Sequence, residues 1–182
     1  PRELNKEEQK AYWINAYNAL TIRLILNNYP TDSIVDLGSS LIAFGPWDDT
    51  VITLAEQTLT LNDIEHRILR PIWKDPRIHF AVNCASIGCP NLQKEAFTSE
   101  NMDDLLEEAT EEFINHPRGV YSTNNTLVLS SIFDWYGNDF GHTISERLAW
   151  MSDYAQDDLA EILSHSVDHI SYQYDWQLND HQ

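Results

Sequence analysis

Arg77-Ile-His-Phe-Ala-Val-Asn-Cys-Ala-Ser-Ile-Gly-Cys-Pro90 holds both cysteines of the chain, and how it is read decides how the rest of the fold is arranged around it. Ile78, Phe80, Ala81 and Val82 form a short apolar run of strand length, ended by the turn formers Asn83, Ser86, Gly88 and Pro90. The run predicts a buried strand whose carboxyl end delivers Cys84 into a turn. A thiol placed there faces a cleft, and a helix opening near Ser86 would offer free N–H groups and a positive dipole end that favour the thiolate. Free cysteine otherwise behaves as a small buried hydrophobe. The polar and small neighbours of Cys84 set it apart from that behaviour. Cys89 is the weaker candidate, able to resolve an oxidised Cys84, to close a short disulfide loop of little stabilising value, or simply to pack.

Upstream of this stretch, Thr60 with Asp63 opens a helix running through Leu61, Ile64, Ile68 and Ile72. At 100° per residue Glu65 falls inside the apolar face, so it is expected to be buried, and a buried carboxylate needs a cation, hydrogen-bond donors or a raised pKa. A structural salt bridge to Arg23 or Arg77 would satisfy that need as well as a role in a site. His66 lies at the edge of the same face. His79 is nearer to Cys84 in sequence, but five residues of extended strand separate the two by roughly 16 Å. His66, on a separate element that can fold back, is therefore the expected general base for Cys84, and His79 the second choice. His66, His79, Cys84 and Cys89 also make a formal zinc set, but the spacing lacks a Cys-x2-Cys knuckle, so no metal or cofactor is expected.

Before that helix, Asn5 with Glu8 is a capping signature, and Trp13, Ala16, Tyr17, Leu20 and Leu24 recur at helical spacing as far as Asn27 and Asn28. Asn15 and Asn18 are embedded in this helix, where they satisfy loop carbonyls or donate to an oxyanion. Residues 30–50 read as irregular. Val51–Leu54 and Gln57–Thr60 read as two short strands. After the cysteines, Thr98-Ser99 opens a long amphipathic helix carrying Met102, Leu105, Leu106, Ala109 and Phe113, its acidic residues forming a solvated face. Val120–Ser122 and Thr126–Leu129 make a hairpin, and Thr143 with Glu146 caps a helical stretch to about Leu163.

With 182 residues, 42% of them hydrophobic, the chain is sized for one core and not two, so a single α+β domain with helices around a small, mostly antiparallel sheet is expected. The net charge of −18, from 29 acidic and 11 basic residues, opposes binding to nucleic acid and to anionic membranes. No run approaches the apolar length of a membrane span.

Taken together, Ala11-Tyr-Trp-Ile-Asn-Ala-Tyr-Asn-Ala-Leu-Thr21, Asp63-Ile-Glu-His-Arg-Ile-Leu-Arg70, His79-Phe-Ala-Val-Asn-Cys-Ala-Ser-Ile-Gly-Cys-Pro90, Ser131-Ile-Phe-Asp-Trp-Tyr136, Asp139-Phe140 and Tyr174-Asp-Trp-Gln-Leu-Asn179 resemble the domain-of-unknown-function family 547, DUF547. The family spans bacterial proteins, many of them exported, and plant proteins that carry the domain behind a coiled coil. The resemblance implies a shared pattern at Trp13, Asn15, Tyr17, Asn18, Glu65, His66, Arg70 and Cys84, while plant members lack equivalents of His79 and Cys89. It implies an amino-terminal helical segment upstream of residue 1, and a periplasmic or secreted location if a signal peptide has been removed. Ala85 stands where a glycine is common in the family, which makes this turn less permissive.

These readings converge on a cysteine-dependent hydrolase or acyl-transferase for an amide, thioester or peptide-like substrate, arranged broadly like papain-type or transglutaminase-type folds. Cys84 is the nucleophile, His66 the base, Glu65 an independent acid, and Asn15 or Asn18 the oxyanion donor. The alternatives are a binding or scaffolding module in which Glu65, His66 and Arg70 only specify the fold, and a thiol redox protein using Cys84 and Cys89.

Overall fold

The computed structural model describes residues 3–38, 45–124, 126–164 and 169–180. Helix α1, Lys6–Asn28, begins where Asn5 accepts from the Glu8 N–H at 3.0 Å and Glu8 accepts from the Asn5 N–H at 2.8 Å, the reciprocal cap its sequence foretells. It buries Ala11, Trp13, Ile14 and Tyr17 against Leu61, Ile64 and Leu106 in the larger of the apolar cores. The expected strand pair forms: β1, Thr50–Leu54, runs antiparallel to β2, Gln57–Thr60. Ala55 and Glu56 take positive φ of 47° and 64°, as a two-residue hairpin turn requires.

The helix after β2 is not a regular α-helix. Asp63–Leu69 is wound as a π-helix, with the Arg70 N–H reaching back five residues to the Glu65 carbonyl, before a short α2, Arg70–Trp73.

The expected strand at Ile78–Val82 is instead helical: α3 spans Ile78–Ala81, and only Val82 is extended. An apolar run of this length without alternation fits a buried helical turn as well as a strand, and the residues before it decide the matter. Asp75 accepts from the Arg77 N–H at 3.1 Å, and the N–H groups of Ile78, His79 and Phe80 close turns onto Asp75, Pro76 and Arg77. Asp75 is itself held by Lys10 at 2.8 Å and by Arg77 at 2.9 Å, which docks α3 beside α1.

Helix α4, Met102–Ile114, follows a turn capped by Thr98, and Arg77 reaches its Asp103 and Glu107. Strands β3, Val120–Thr123, and β4, Thr126–Ser130, form the expected hairpin; Asn125 of its turn lies outside the described residues. Short helices α5, Ile132–Trp135, and α6, Gly137–Phe140, come next. The capping box at Thr143 opens α7, Ile144–Ser152, but helicity stops there and resumes as α8, Asp157–Ser164. Asn115 accepts from the Gln156 N–H and donates to the Tyr154 carbonyl, anchoring the break to the end of α4.

A third strand that the sequence pattern did not reveal, β5, His169–Gln173, pairs in parallel with β4. Phe80, Phe113, Leu129 and Phe133 centre the second core between this sheet and the helices. The molecule is thus an α+β domain, with two small sheets among the described residues whose pairing is mostly antiparallel. Among the described residues no helix is long and apolar enough to cross a membrane.

The tail after β5 returns to the cysteine turn. Ile87 and Gly88 donate to the carbonyls of Gln177 and Asp175 at 2.8 Å, and Asn179 donates to that of Ala85. At Gly88 a Cβ would stand 2.8 Å from the Asp175 nitrogen, so this approach requires glycine.

Candidate active site around Cys84

Two asparagine side chains anchor the cysteine turn. Asn18 donates to the Ala81 carbonyl at 2.9 Å and accepts from the Asn83 N–H at 2.8 Å, clamping the chain on both sides of Val82. Asn83 then accepts from the Ala85 N–H at 2.7 Å and donates to the Pro90 carbonyl. Ala85 itself sits at φ +63°, the left-handed region that suits glycine and costs alanine about 1 kcal/mol.

No helix opens near Ser86; the donors around the sulfur come from side chains and one backbone group. Cys84 Sγ lies 2.9 Å from the Tyr174 hydroxyl and 3.1 Å from Ser86 Oγ, and Ser86 donates to Tyr174 at 2.9 Å. Cys89 Sγ accepts from the Cys84 N–H at 2.9 Å, and both cysteines are free thiols. Hydrogen bonding by the Cys89 thiol, aided by Ser86 and Tyr174 against the opposing effect of burial, lowers the Cys84 thiol to about 7. Burial pushes Cys89 and Tyr174 the other way, so both stay protonated donors.

Glu65 is 5% exposed, as the helical wheel foretold. Neither Arg23 nor Arg77 pairs with it. Its Oε1 lies 3.7 Å from His79 Nδ1 and 4.0 Å from His66 Nδ1, and the Tyr136 hydroxyl hydrogen-bonds to it. His79 Nε2 meets Asp139 Oδ2 at 2.7 Å, Arg70 Nε donates to the same oxygen at 2.7 Å, and the Tyr136 ring stacks on His79 at 4.3 Å. Burial alone would raise Asp139, but the bonds from His79 and Arg70 outweigh it and hold this carboxyl far below the ordinary range.

The two histidines line different cavities. Arg70 NH1 lies 2.9 Å from His66 Nδ1, and a guanidinium has only donors, so Nδ1 accepts and the ring proton sits on Nε2. With both nitrogens so assigned, His66 has no lone pair left for a thiol proton. Burial first, then the charge of Arg70, lowers its pKa. Its ring faces a neighbouring cleft shared with Lys74 and Asp75, and among the described residues no hydrogen bond joins it to Cys84. His79 is the histidine that lines the cavity of Cys84. The 16 Å objection fails because α3 rises about 1.5 Å per residue where a strand would rise about 3.3 Å.

Asn15 and Asn18 do not line that cavity. Asn15 forms a two-point clamp on the Phe97 backbone, donating at 2.8 Å and accepting at 3.0 Å, and Asn18 does the same at Ala81 and Asn83. These are the loop-satisfying bonds that stood as the alternative to an oxyanion role. Among the described residues no group of three or more His, Cys, Asp or Glu is arranged to hold a metal.

The cavity measures about 420 Å³ and is lined by Cys84, Glu65 and His79 together with aromatic side chains including Trp47, Tyr136 and Trp176. Asp139, Tyr136 and Tyr174 escaped the residue-by-residue reading. Each belongs to a motif that carries the family resemblance, which was the signal available for finding them.

A family model described as "Protein of unknown function, DUF547" matches residues 1–114, a span that includes Glu65, His66, His79 and both cysteines. Asp139 and Tyr174 lie beyond it. No curated protein and no solved structure matches the chain.

Proposed function

The chain belongs to the DUF547 family, and from that premise and the surroundings of Cys84 we propose that it is a cysteine-dependent hydrolase or acyl-transferase acting on an amide, thioester or peptide-like substrate. The observation that carries this reading is a thiol held near pH 7 by hydroxyl and thiol donors, opening into a cavity that also receives a carboxylate-oriented imidazole. Near neutral pH roughly half of such a thiol is ionised, so the nucleophile is present as thiolate before substrate arrives. The sulfur adds to the substrate carbonyl, and collapse of the tetrahedral adduct expels the leaving group. Asp139 fixes His79 through Nε2, which leaves Nδ1 to hold the proton that the thiol gives up, to pass it to the leaving group as the adduct collapses, and then to take one from the water or amine that releases the acyl group. Glu65, 3.7 Å from Nδ1, stabilises the imidazolium that stands before the first of these transfers and again after the second.

Alkylation by iodoacetamide, followed by intact mass across pH, tests the reading. Cys84 is expected to react with a midpoint near pH 7 while Cys89 stays unmodified in the native protein, and Cys84→Ala is expected to abolish turnover of thioester and activated-amide probes. A midpoint above the ordinary thiol value of about 8.5, or reaction only on unfolding, would leave the scaffolding alternative. That alternative draws on the connected Glu65, His79, Asp139 and Arg70 network, which links the π-helix, α2, α3 and α6.

A further inference from the structure

The described lining of the cavity contains no Lys or Arg side chain; its ionisable groups, besides the thiols and tyrosines, are Asp48, Glu65 and His79. Exposure orders them by depth. Asp48 is exposed and oriented by Asn62, which donates to it at 2.7 Å, so it marks the mouth. Glu65 and His79 are buried and mark the floor. The same cavity is lined by Trp135, Tyr174 and Trp176, packed on one another with ring centroids 4.5 to 5.5 Å apart, and Trp47 lies 5.5 Å from Trp176. Trp135 is 47% exposed, so part of its ring is open to a ligand in the cavity.

Aromatic walls alone would accept any flat or apolar group. The charges narrow the choice. Ring faces present negative potential and attract cations, and carboxylates at mouth and floor reinforce the same sign. Behind His79, the guanidinium of Arg70 is paired with Asp139, so it does not offset Asp48 and Glu65 in the cavity. An anionic substrate group would meet repulsion along the whole path, and in a chain of net charge −18 nothing distant attracts one.

We propose that the cavity recognises a positively charged alkylammonium group on the substrate, of the kind carried by a lysine side chain, a polyamine or a quaternary amine, held against Trp135, Tyr174 and Trp176 with Asp48 at its entrance. The inference names the substrate chemistry of the site already read as that of a cysteine nucleophile and rests on that reading for the word substrate. Binding itself is testable without turnover.

Choline, its neutral isostere 3,3-dimethylbutan-1-ol and the anionic 3,3-dimethylbutanoate differ chiefly in charge. Each is titrated at constant ionic strength into the native protein and into Cys84→Ala, followed by tryptophan fluorescence and calorimetry. Choline is expected to saturate and to bind about tenfold tighter than the alcohol, with the carboxylate weakest. Trp176→Leu, checked for an unchanged circular dichroism spectrum, is expected to weaken choline more than the alcohol. Equal or tighter binding of the alcohol, or no saturable binding of choline, overturns the proposal. Cation preference without turnover of any acyl probe overturns only the hydrolase reading, and turnover without cation preference overturns only this one.

Discussion

The hydroxyls of Tyr174 and Ser86 are in hydrogen-bond contact with the Cys84 sulfur. Tyr174 contributes a 2.9 Å hydrogen bond to the sulfur and is itself polarised by Ser86, so its hydroxyl stabilises the thiolate selectively. Tyr174→Phe removes that bond while keeping the ring packed on Trp176. The Cys84 midpoint is expected to rise by about one pH unit and alkylation at pH 7 to slow several-fold, since a hydrogen bond to a charged group is worth about 1.5–3 kcal/mol. An unmoved midpoint would mean that Ser86 and Cys89 alone set the thiol. His66 carries the opposite lesson. Its position beside Glu65 was legible, yet its tautomer was not, because that is set by Arg70 four residues on and sequence spacing does not report where a guanidinium points.

Elements bring these residues together through backbone clamps. Asn18 ties α1 to the extended residue that follows α3, and its two bonds satisfy a carbonyl and an N–H that have little access to water. Asn18→Ala is expected to cost about 2–4 kcal/mol in denaturant unfolding, because each orphaned buried group costs about 1–3 kcal/mol. Full stability with turnover lost would instead restore the oxyanion role for this amide. Helices capped by local side chains were readable as helices: α1 and α7 begin at their boxes. The π-helix and α3 were not readable in form, since neither a five-residue hydrogen-bond period nor a buried helical turn leaves its own apolar signature in so short a stretch. Glu65 nevertheless proved buried, because Ile64 and Leu69 beside it must face the core under either winding.

Across the whole molecule two electrostatic effects oppose each other. Self-repulsion from the net charge of −18 is expected to make the melting temperature rise as NaCl is added from low salt, and a flat response would show that the charges are already paired. Asp139 and Asp75, in contrast, have folded pKa values held below their unfolded values by cationic partners that outweigh their burial. Their contribution is fully present above the unfolded value of about 3.9 and is lost as pH falls through the folded values. Melting scans from pH 7 to pH 2 are therefore expected to show stability falling below about pH 4, and the gap between the native protein and Asp139→Asn to narrow there; a constant gap would mean that the ion pair contributes nothing. The sequence by itself determined the charge balance, the α+β class, the capped helices, the hairpins, the burial of Glu65 and the candidacy of Cys84. Each of these follows from composition or from contacts within a few residues. Only the tertiary structure decided that α3 is helical, that His79 rather than His66 shares the cavity with Cys84, and that Tyr174, 90 residues away, donates to the sulfur. Those outcomes depend on how Asp75, Asn18 and the returning tail are held by distant parts of the chain, and long-range pairings of that kind leave no periodicity to read.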